Sequence, residues 1–116
     1  LKQLKLVQQL GSISQFNDPE KLEHCHTPLF QFEGFDLPAV EGCAAWLICK
    51  LIPEPHNQQS HDLFIGQVVA AYADDRVFRQ GHWYYHEAPA EWKSLHHVAG
   101  GHYYTIGDAV DANLLE

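Results

Sequence analysis

Apolar residues recur at helical spacing at the start of the chain. Leu1, Leu4 and Val7 alternate with Lys and Gln, which predicts a short amphipathic helix. Gly11 follows where a left-handed residue would end that helix. Residues 17–24 open with Asn-Asp-Pro-Glu and predict a second short helix, because an N-cap side chain precedes a proline in the first turn.

Two long apolar segments dominate the middle of the chain. Residues 44–52 are nearly all apolar and end before Pro53, as in a strand that is covered on both faces. Residues 61–72 are apolar on both faces of a second strand, and the polar residues 54–60 between them predict a turn. The two strands are expected to form an antiparallel hairpin.

The remaining segments are shorter. Residues 29–40 predict an extended piece, residues 77–85 a second hairpin around a Gln-Gly turn, and residues 89–92 one helical turn. Residues 103–106 predict a last strand. We therefore expect one α+β domain over residues 1–116, with a mainly antiparallel sheet or barrel and short helices at its start.

The composition narrows the classes of partner. The 15 acidic residues against 7 basic ones give a formal charge of -8, and the basic residues are scattered, so we expect no nucleic-acid partner. No apolar run is long enough to cross a membrane, so we expect no membrane partner. Cys25, Cys43 and Cys49 are expected to be reduced thiols in a cytoplasmic protein, since the last two would lie too far apart along one strand to pair.

The start of the second helix is a candidate anion site. Ser12, Ser14 and Asn17 place polar side chains beside it, and Lys21 lies in its first turn, which together could cradle a phosphate. The alternative is a plain N-cap with a solvated lysine, which Glu20 favours because its charge repels an anion.

Histidines supply further candidates. His61, at the mouth of the predicted hairpin, could bind a ligand phosphate or relay a proton at neutral pH, or it is an exposed strand-end residue without a role. The chain has 9 histidines, which makes a metal site one of the hypotheses. Adjacent pairs such as His96 and His97 point to opposite faces of a strand, which makes the metal-site interpretation weak.

The segment 95–108, LHHVAGGHYYTIGD, is the densest in chemistry. Gly100 and Gly101 permit a sharp turn or the close approach of a flat ligand. Tyr103 and Tyr104 can stack on a ring or donate hydrogen bonds, although two tyrosines in a strand also occur as core and rim.

Three separated stretches resemble one family. Gly-Ser-Ile-Ser and Asn-Asp-Pro-Glu-Lys-Leu within residues 11–22 are similar to a Gly-x-x-Ser-Gly-Arg-Asp segment that ends in Asp-Lys-Phe. Residues 44–68 are similar to a hairpin carrying Gly-Asp-His-x-x-x-x-Gly-x-Val, and residues 100–104 to a closing Gly-Gly-x-Tyr-Tyr. From residue 4 to 107 the chain resembles the C-terminal part of flavin reductase-like proteins of the FMN-binding split-barrel type.

The resemblance implies a fold and an activity. The fold would be a homodimeric split β-barrel of Greek-key type with six antiparallel strands, here lacking its N-terminal strands. It would bind FMN, or alternatively FAD, near the dimer interface and accept hydride from NAD(P)H, often to supply a partner monooxygenase. Two other hypotheses remain: a non-catalytic dimerisation or interaction module derived from the barrel, and a His-rich metal-binding domain.

The resemblance also implies residue roles. His61 would be the catalytic candidate, facing the nicotinamide or the flavin edge. The residues expected to contact the phosphate, ribityl chain or rings of the flavin are Ser12, Ser14, Lys21, Gly100, Gly101, Tyr103 and Tyr104.

The chain departs from the family pattern at three places. Gln15-Phe16 stands where the family often has Gly-Arg, and Gln59-Ser60 replaces Gly-Asp before His61. The first strands of the family would precede Leu1 and supply most of its flavin contacts. We therefore expect the 116-residue chain by itself to bind flavin poorly or not at all.

Overall fold

Antiparallel strand pairs and short helices alternate along residues 1–112, which the computed structural model describes. The helices are α1 (Leu4–Ser12), α2 (Lys21–His24) and α3 (Pro55–His61), with a 3-10 turn at Ala90–Trp92. The strands are β1 (Leu29–Phe30), β2 (Ala39–Val40), β3 (Ala45–Ile52), β4 (Ile65–Ala73), β5 (Phe78–Arg79), β6 (His82–Trp83), β7 (Leu95–Ala99) and β8 (His102–Thr105). They pair as β1–β2, β3–β4, β5–β6 and β7–β8 into four two-stranded sheets, which confirms an α+β chain with antiparallel strands.

The β3–β4 pair is the largest sheet and confirms the predicted antiparallel pairing of the two apolar segments. Its register pairs Trp46 with Tyr72 at one end and Ile52 with Ile65 at the other. A register shift beside Ile48 leaves β4 one residue longer than β3, a β-bulge that increases the local twist. Gly66 pairs with Leu51, and a Cβ there would come 3.0 Å from the Cβ of Cys49, so this position favours glycine.

Aromatic rings cover one face of this hairpin. The Phe32 ring stacks on Tyr72 with centroids 3.8 Å apart, and Phe30 meets Trp46 edge to face. The indole N–H of Trp46 donates to the carbonyl oxygen of Val40 at 2.8 Å. The small β1–β2 sheet is thereby fastened to the long hairpin.

The opposite face of the hairpin is apolar and exposed. We call it the outer face. In an antiparallel pair, residues that lie opposite each other point to the same side of the sheet. The register therefore places Leu47, Cys49, Leu51 and Val68 together on this face, and all four are exposed. A contiguous apolar surface of this kind is typical of a contact region.

A second cluster surrounds Trp92, which is buried. The Lys2 ammonium lies 3.3 Å from the centre of the Trp92 ring, and the Arg76 guanidinium lies 4.2 Å from it. Arg76 donates to both carboxylate oxygens of Asp74, at 2.8 and 2.6 Å. The cluster joins the start of the chain, the loop after β4 and the 3-10 turn, and Val77, next to Arg76 in sequence, is fully buried.

The molecule is open. Its radius of gyration is 17.2 Å, against roughly 13 Å for a compact domain of about this length. Its accessible surface is 9273 Å², whereas a compact monomer of this size exposes roughly 6,400 Å². Much of the apolar surface is thus available for contact with further polypeptide chain.

The structure corrects three expectations. The second helix begins at Lys21 rather than at residues 17–19, and its N-cap residue is Glu20, which makes no side-chain cap hydrogen bond. The polar residues 54–60 form most of α3 rather than a turn, and His61 ends that helix instead of opening a strand. Pro55 at the first helical position has the backbone angle that a helix needs, a start signal that the absence of apolar periodicity concealed. In addition, α1 continues through Gly11 to Ser12, because the Ser12 hydroxyl donates to the carbonyl oxygen of Gln8 at 2.7 Å.

The Asp74–Arg76 pair predicts a pH-dependent stability. The hydrogen bonds from Arg76 lower the pKa of Asp74 from 3.8 to about 2, so the stabilisation is complete above pH 3.8 and is lost as the pH falls towards 2. We expect Asp74→Asn to lower the free energy of unfolding at pH 7 by at most about 1 kcal/mol, since the Arg76 side chain is 61% exposed and solvent screens the pair.

Thermal unfolding at pH 7, 4 and 2.5 measures this difference. The neighbouring change Asp75→Asn is the matched control and is expected to leave the midpoint nearly unchanged. An Asp74→Asn deficit that stays equal at all three pH values would contradict the role of the ion pair.

Candidate functional site

The β7–β8 hairpin carries the glycine pair and both candidate tyrosines. Gly100 and Gly101 form a two-residue turn between the paired residues Ala99 and His102. Gly100 has a φ of 54°, which fits the first central position of a type II′ turn and favours glycine there. A Cβ added at either glycine would meet no atom within 4 Å, so the space beside the turn is open to a ligand.

Tyr103 connects this hairpin to α1. Its hydroxyl donates to Oε1 of Gln8 at 2.8 Å, and Nε2 of Gln8 donates to the Ser12 hydroxyl oxygen at 3.1 Å. We call this the Tyr103–Gln8–Ser12 network. The network brings the last of the three motifs into contact with the first, although Tyr103 and Ser12 are far apart in sequence.

Gln8 was not among the residues selected from the sequence. Its one sequence signal is its position four residues before Ser12, where side chains on a helix are neighbours. Nothing in the sequence pairs it with Tyr103, because that contact depends on where the hairpin packs against α1.

The two tyrosines lie on opposite sides of β8. Tyr103 is half-buried and is also contacted by His97, with ring centroids 4.9 Å apart. The Nε2 of His97 bonds the carbonyl oxygen of Gly100 at 3.0 Å, which gives this histidine a structural role in the turn. Tyr104 is 61% exposed, and its ring meets His102 edge to face, so one side of Tyr104 is accessible to a ligand ring.

The connection between α1 and α2 holds Ser14 and Lys21. The Ser14 hydroxyl oxygen accepts the backbone N–H of Phe16 at 3.2 Å, which leaves its own proton free to be donated. Lys21 is the first residue of α2 and is half-buried. An ammonium and a hydroxyl donor suit a phosphate oxygen, whereas the Ser12 hydroxyl proton is engaged with Gln8.

Acidic side chains also lie at this connection. The Asp18 carboxylate accepts the backbone N–H of Glu20 at 3.2 Å and contacts Nδ1 of His24 at 2.9 Å. The hydrogen bond to the Asp18 carboxylate raises the pKa of His24. A phosphate at Lys21 therefore has two carboxylates nearby in sequence, which weakens its attraction.

His61 lies apart from these residues. It is exposed at the end of α3, and its ring meets His56 edge to face at 5.8 Å. Within residues 1–112, none of the hydrogen bonds, ion pairs or ring contacts joins it to the Tyr103–Gln8–Ser12 network. The structure thus assembles two of the three motifs and leaves the histidine by itself.

In the part of the chain that the structure describes, no group of three or more His, Cys, Asp or Glu side chains is placed to hold a metal ion. No described helix has the length and apolar character that crossing a membrane requires. The three cysteines are unpaired.

Comparison with known proteins gives consistent results. Residues 2–93 match the model of the flavin reductase like domain family. The chain is 36% identical over 104 residues to the uncharacterized protein YddH of Escherichia coli (strain K12), a match that covers 89% of this chain and 53% of that protein.

A solved structure is also similar. It is the crystal structure of an FMN-binding domain of a flavin reductases-like enzyme from Shewanella baltica OS155. The TM-score is 0.92 at 51% sequence identity, covering 96% of this chain and 58% of that one. The chain therefore spans just over half the length of the relatives it matches.

The Tyr103 hydrogen bond predicts a measurable stability difference. We expect Tyr103→Phe to lower the free energy of unfolding by about 1 kcal/mol, because Gln8 loses a half-buried donor. Tyr104→Phe is the matched control and is expected to have almost no effect, since its side chain is exposed. Urea unfolding of the two variants measures the difference; equal values would contradict a stabilising role for the network.

Proposed function

Because the chain belongs to the flavin reductase-like domain family, we propose that it forms part of an oxidoreductase that binds FMN and transfers hydride from NAD(P)H to it. The observation that carries this proposal is the 0.92 TM-score at 51% identity to a domain described as FMN-binding. A split-barrel arrangement is part of the same proposal. The chain would contribute one wall of the flavin site, since it spans 58% of that relative.

The residues at the α1–α2 connection suit the phosphate end of the cofactor. The Lys21 ammonium and the Ser14 hydroxyl are the donors there, and Ser12 would act by holding Gln8 and the end of α1 in place. In this arrangement Ser14 and Lys21 contact the phosphate, whereas the sequence predicted a cradle that also included Ser12. The difference follows from the Ser12 proton being used within the helix.

The β7–β8 hairpin suits the ring end. The exposed side of Tyr104 offers an aromatic face for stacking, and the open space beside Gly100 and Gly101 permits close approach of a flat group. Tyr103 would act as a positioning residue, because its hydroxyl holds the hairpin against Gln8.

A bound flavin supplies acceptance of a hydride and later release of its electrons. The protein's part is to hold the nicotinamide and flavin rings within reaction distance and to keep water out. The proposal also includes the nicotinamide co-substrate, FAD as the alternative cofactor and a role for His61 beside the rings. A partner monooxygenase and a cytoplasmic location belong to the same proposal. Weak flavin binding by the isolated chain is expected, because the open surface leaves the site without its other walls.

A second candidate function is association. On the outer face of the β3–β4 hairpin, Leu47 is 66% and Val68 is 52% exposed. Contact with another polypeptide chain stabilises such a face, because it removes apolar surface from water. We propose that the protein forms a homodimer, and an interaction module without catalysis is the corresponding alternative to the oxidoreductase.

A chimera tests the flavin proposal. This chain would replace the matching 58% of the Shewanella baltica protein, which supplies the remaining walls. We expect the chimera to bind FMN and to bleach it on addition of NADH or NADPH. A folded chimera that binds no FMN, or binds it without bleaching by either nucleotide, would refute the flavin or the hydride step respectively.

The phosphate role is tested within the same chimera. Lys21→Met is expected to weaken FMN binding by about tenfold, equivalent to about 1.4 kcal/mol, and to leave riboflavin binding unchanged. Lys50→Met, an exposed lysine on β3, is the charge-matched control. Equal losses for FMN and riboflavin would contradict a phosphate contact at Lys21.

Sedimentation velocity tests the association. We expect the wild-type chain to sediment as a dimer at micromolar concentration and Leu47→Lys to shift it to monomer, since a charge would be buried at the contact. Val110→Lys is the control, because Val110 is 91% exposed and lies outside the hairpin. A wild-type monomer, or a dimer that Leu47→Lys leaves intact, would refute this face as the interface.

A further inference from the structure

A cleft of about 640 Å³ lies between α1 and the segment that links α2 to β1. We call it the lysine cleft. It shares no lining residue with the α1–α2 connection or with the β7–β8 hairpin. The residues of its lining that carry polar side chains or approach it with their backbone include Lys2, Lys5, Gln9, His26, Glu41 and Gly42.

The balance of charge in this cleft is opposite to that of the chain. The chain carries a formal charge of -8 with 7 basic residues, and both arginines are neutralised by carboxylates, Arg76 by Asp74 and Arg79 by Glu87. The cleft lining combines two lysines and a histidine with a single carboxylate, that of Glu41. Lys5 forms no ion pair within residues 1–112, so its ammonium remains available.

The wall opposite Lys5 is held in a fixed shape. Nε2 of Gln3 donates to the carbonyl oxygen of Glu41 at 2.7 Å, which ties α1 to the turn after β2. Gly42 has a φ of 81°, and a Cβ there would come within 3.4 Å of the Gln3 side chain and 3.9 Å of the Lys2 ammonium. The absence of a side chain at Gly42 leaves room for the Lys2 side chain, whose ammonium lies over the Trp92 ring.

These features suit an anion with several oxygens. Ammonium groups bind phosphate as point charges without demanding one geometry, and the exposed amide of Gln9 and ring of His26 add donors. We propose that the lysine cleft binds the phosphoryl group of a small phosphorylated ligand. The source of that group rests on the proposed function, which offers the pyrophosphate of the nicotinamide dinucleotide, since the flavin phosphate is assigned there to Lys21 and Ser14.

The first experiment uses inorganic pyrophosphate as the probe and the whole 116-residue chain. A ¹H–¹⁵N NMR titration is expected to shift the amide signals of Lys5, His26 and Gly42, with weaker binding as salt is added. Lys5→Glu is expected to weaken pyrophosphate binding at least about tenfold, and the charge-matched Lys50→Glu to leave it unchanged. Thermal melting checks both folds, and Lys5→Met replaces Lys5→Glu if the latter melts early.

Two results would overturn the inference. One is a set of shifts spread evenly over all lysines, and the other is an affinity that falls equally in the Lys5 and Lys50 variants. Shifts confined to the cleft would support it even if the chimera binds no flavin. Conversely, a chimera that binds FMN while pyrophosphate leaves the cleft signals unmoved would refute the cleft and leave the flavin proposal intact.

The source of the phosphoryl group is resolved by three further ligands in the chimera. Loss of affinity on Lys5→Glu for FMN but not for riboflavin would place the flavin phosphate in the cleft and overturn its assignment to Lys21. The same loss for ADP-ribose, with FMN unaffected, supports the dinucleotide. Unchanged affinity for all three would overturn the cleft as a ligand site in the assembled protein.

Discussion

The packing of two cations on Trp92 is the interaction on which the arrangement of this chain depends. Buried apolar side chains are few among the described residues: Val77 and Trp92, with Cys25 elsewhere. A cation on an aromatic face gains electrostatic attraction as well as apolar contact, and Lys2 and Arg76 come from distant parts of the chain. Without this cluster, the start of the chain, the loop after β4 and the 3-10 turn would have little to hold them together.

The candidate flavin site inherits its shape from a similar long-range contact. Tyr103 meets Gln8 across almost the whole sequence, so the glycine turn and the α1–α2 connection belong to one region only because the last hairpin docks on the first helix. A ligand that contacted both would stabilise this docking. This couples binding at the ring end to order at the phosphate end.

The strands were predictable where local pattern and pairing agreed. The β3–β4 hairpin follows from two apolar runs, and the β5–β6 turn from Gln80-Gly81, whose φ values of 52° and 79° suit that turn. Helix α3 was missed because it has no apolar stripe to reveal it, and β7 because its histidines resemble ligands more than strand residues. Gln8 was missed for another reason: its partner is set by tertiary packing, which a single sequence does not display.

The division into four separate sheets has a consequence for how the chain responds to denaturant. The slope of unfolding free energy against denaturant scales with the surface that unfolding exposes, and this chain already exposes 9273 Å² when folded. We therefore expect a shallow transition, with the individual hairpins exchanging their amide protons through separate local openings. Covering the outer face would make these units melt together, so steepness of the transition reports assembly independently of any ligand.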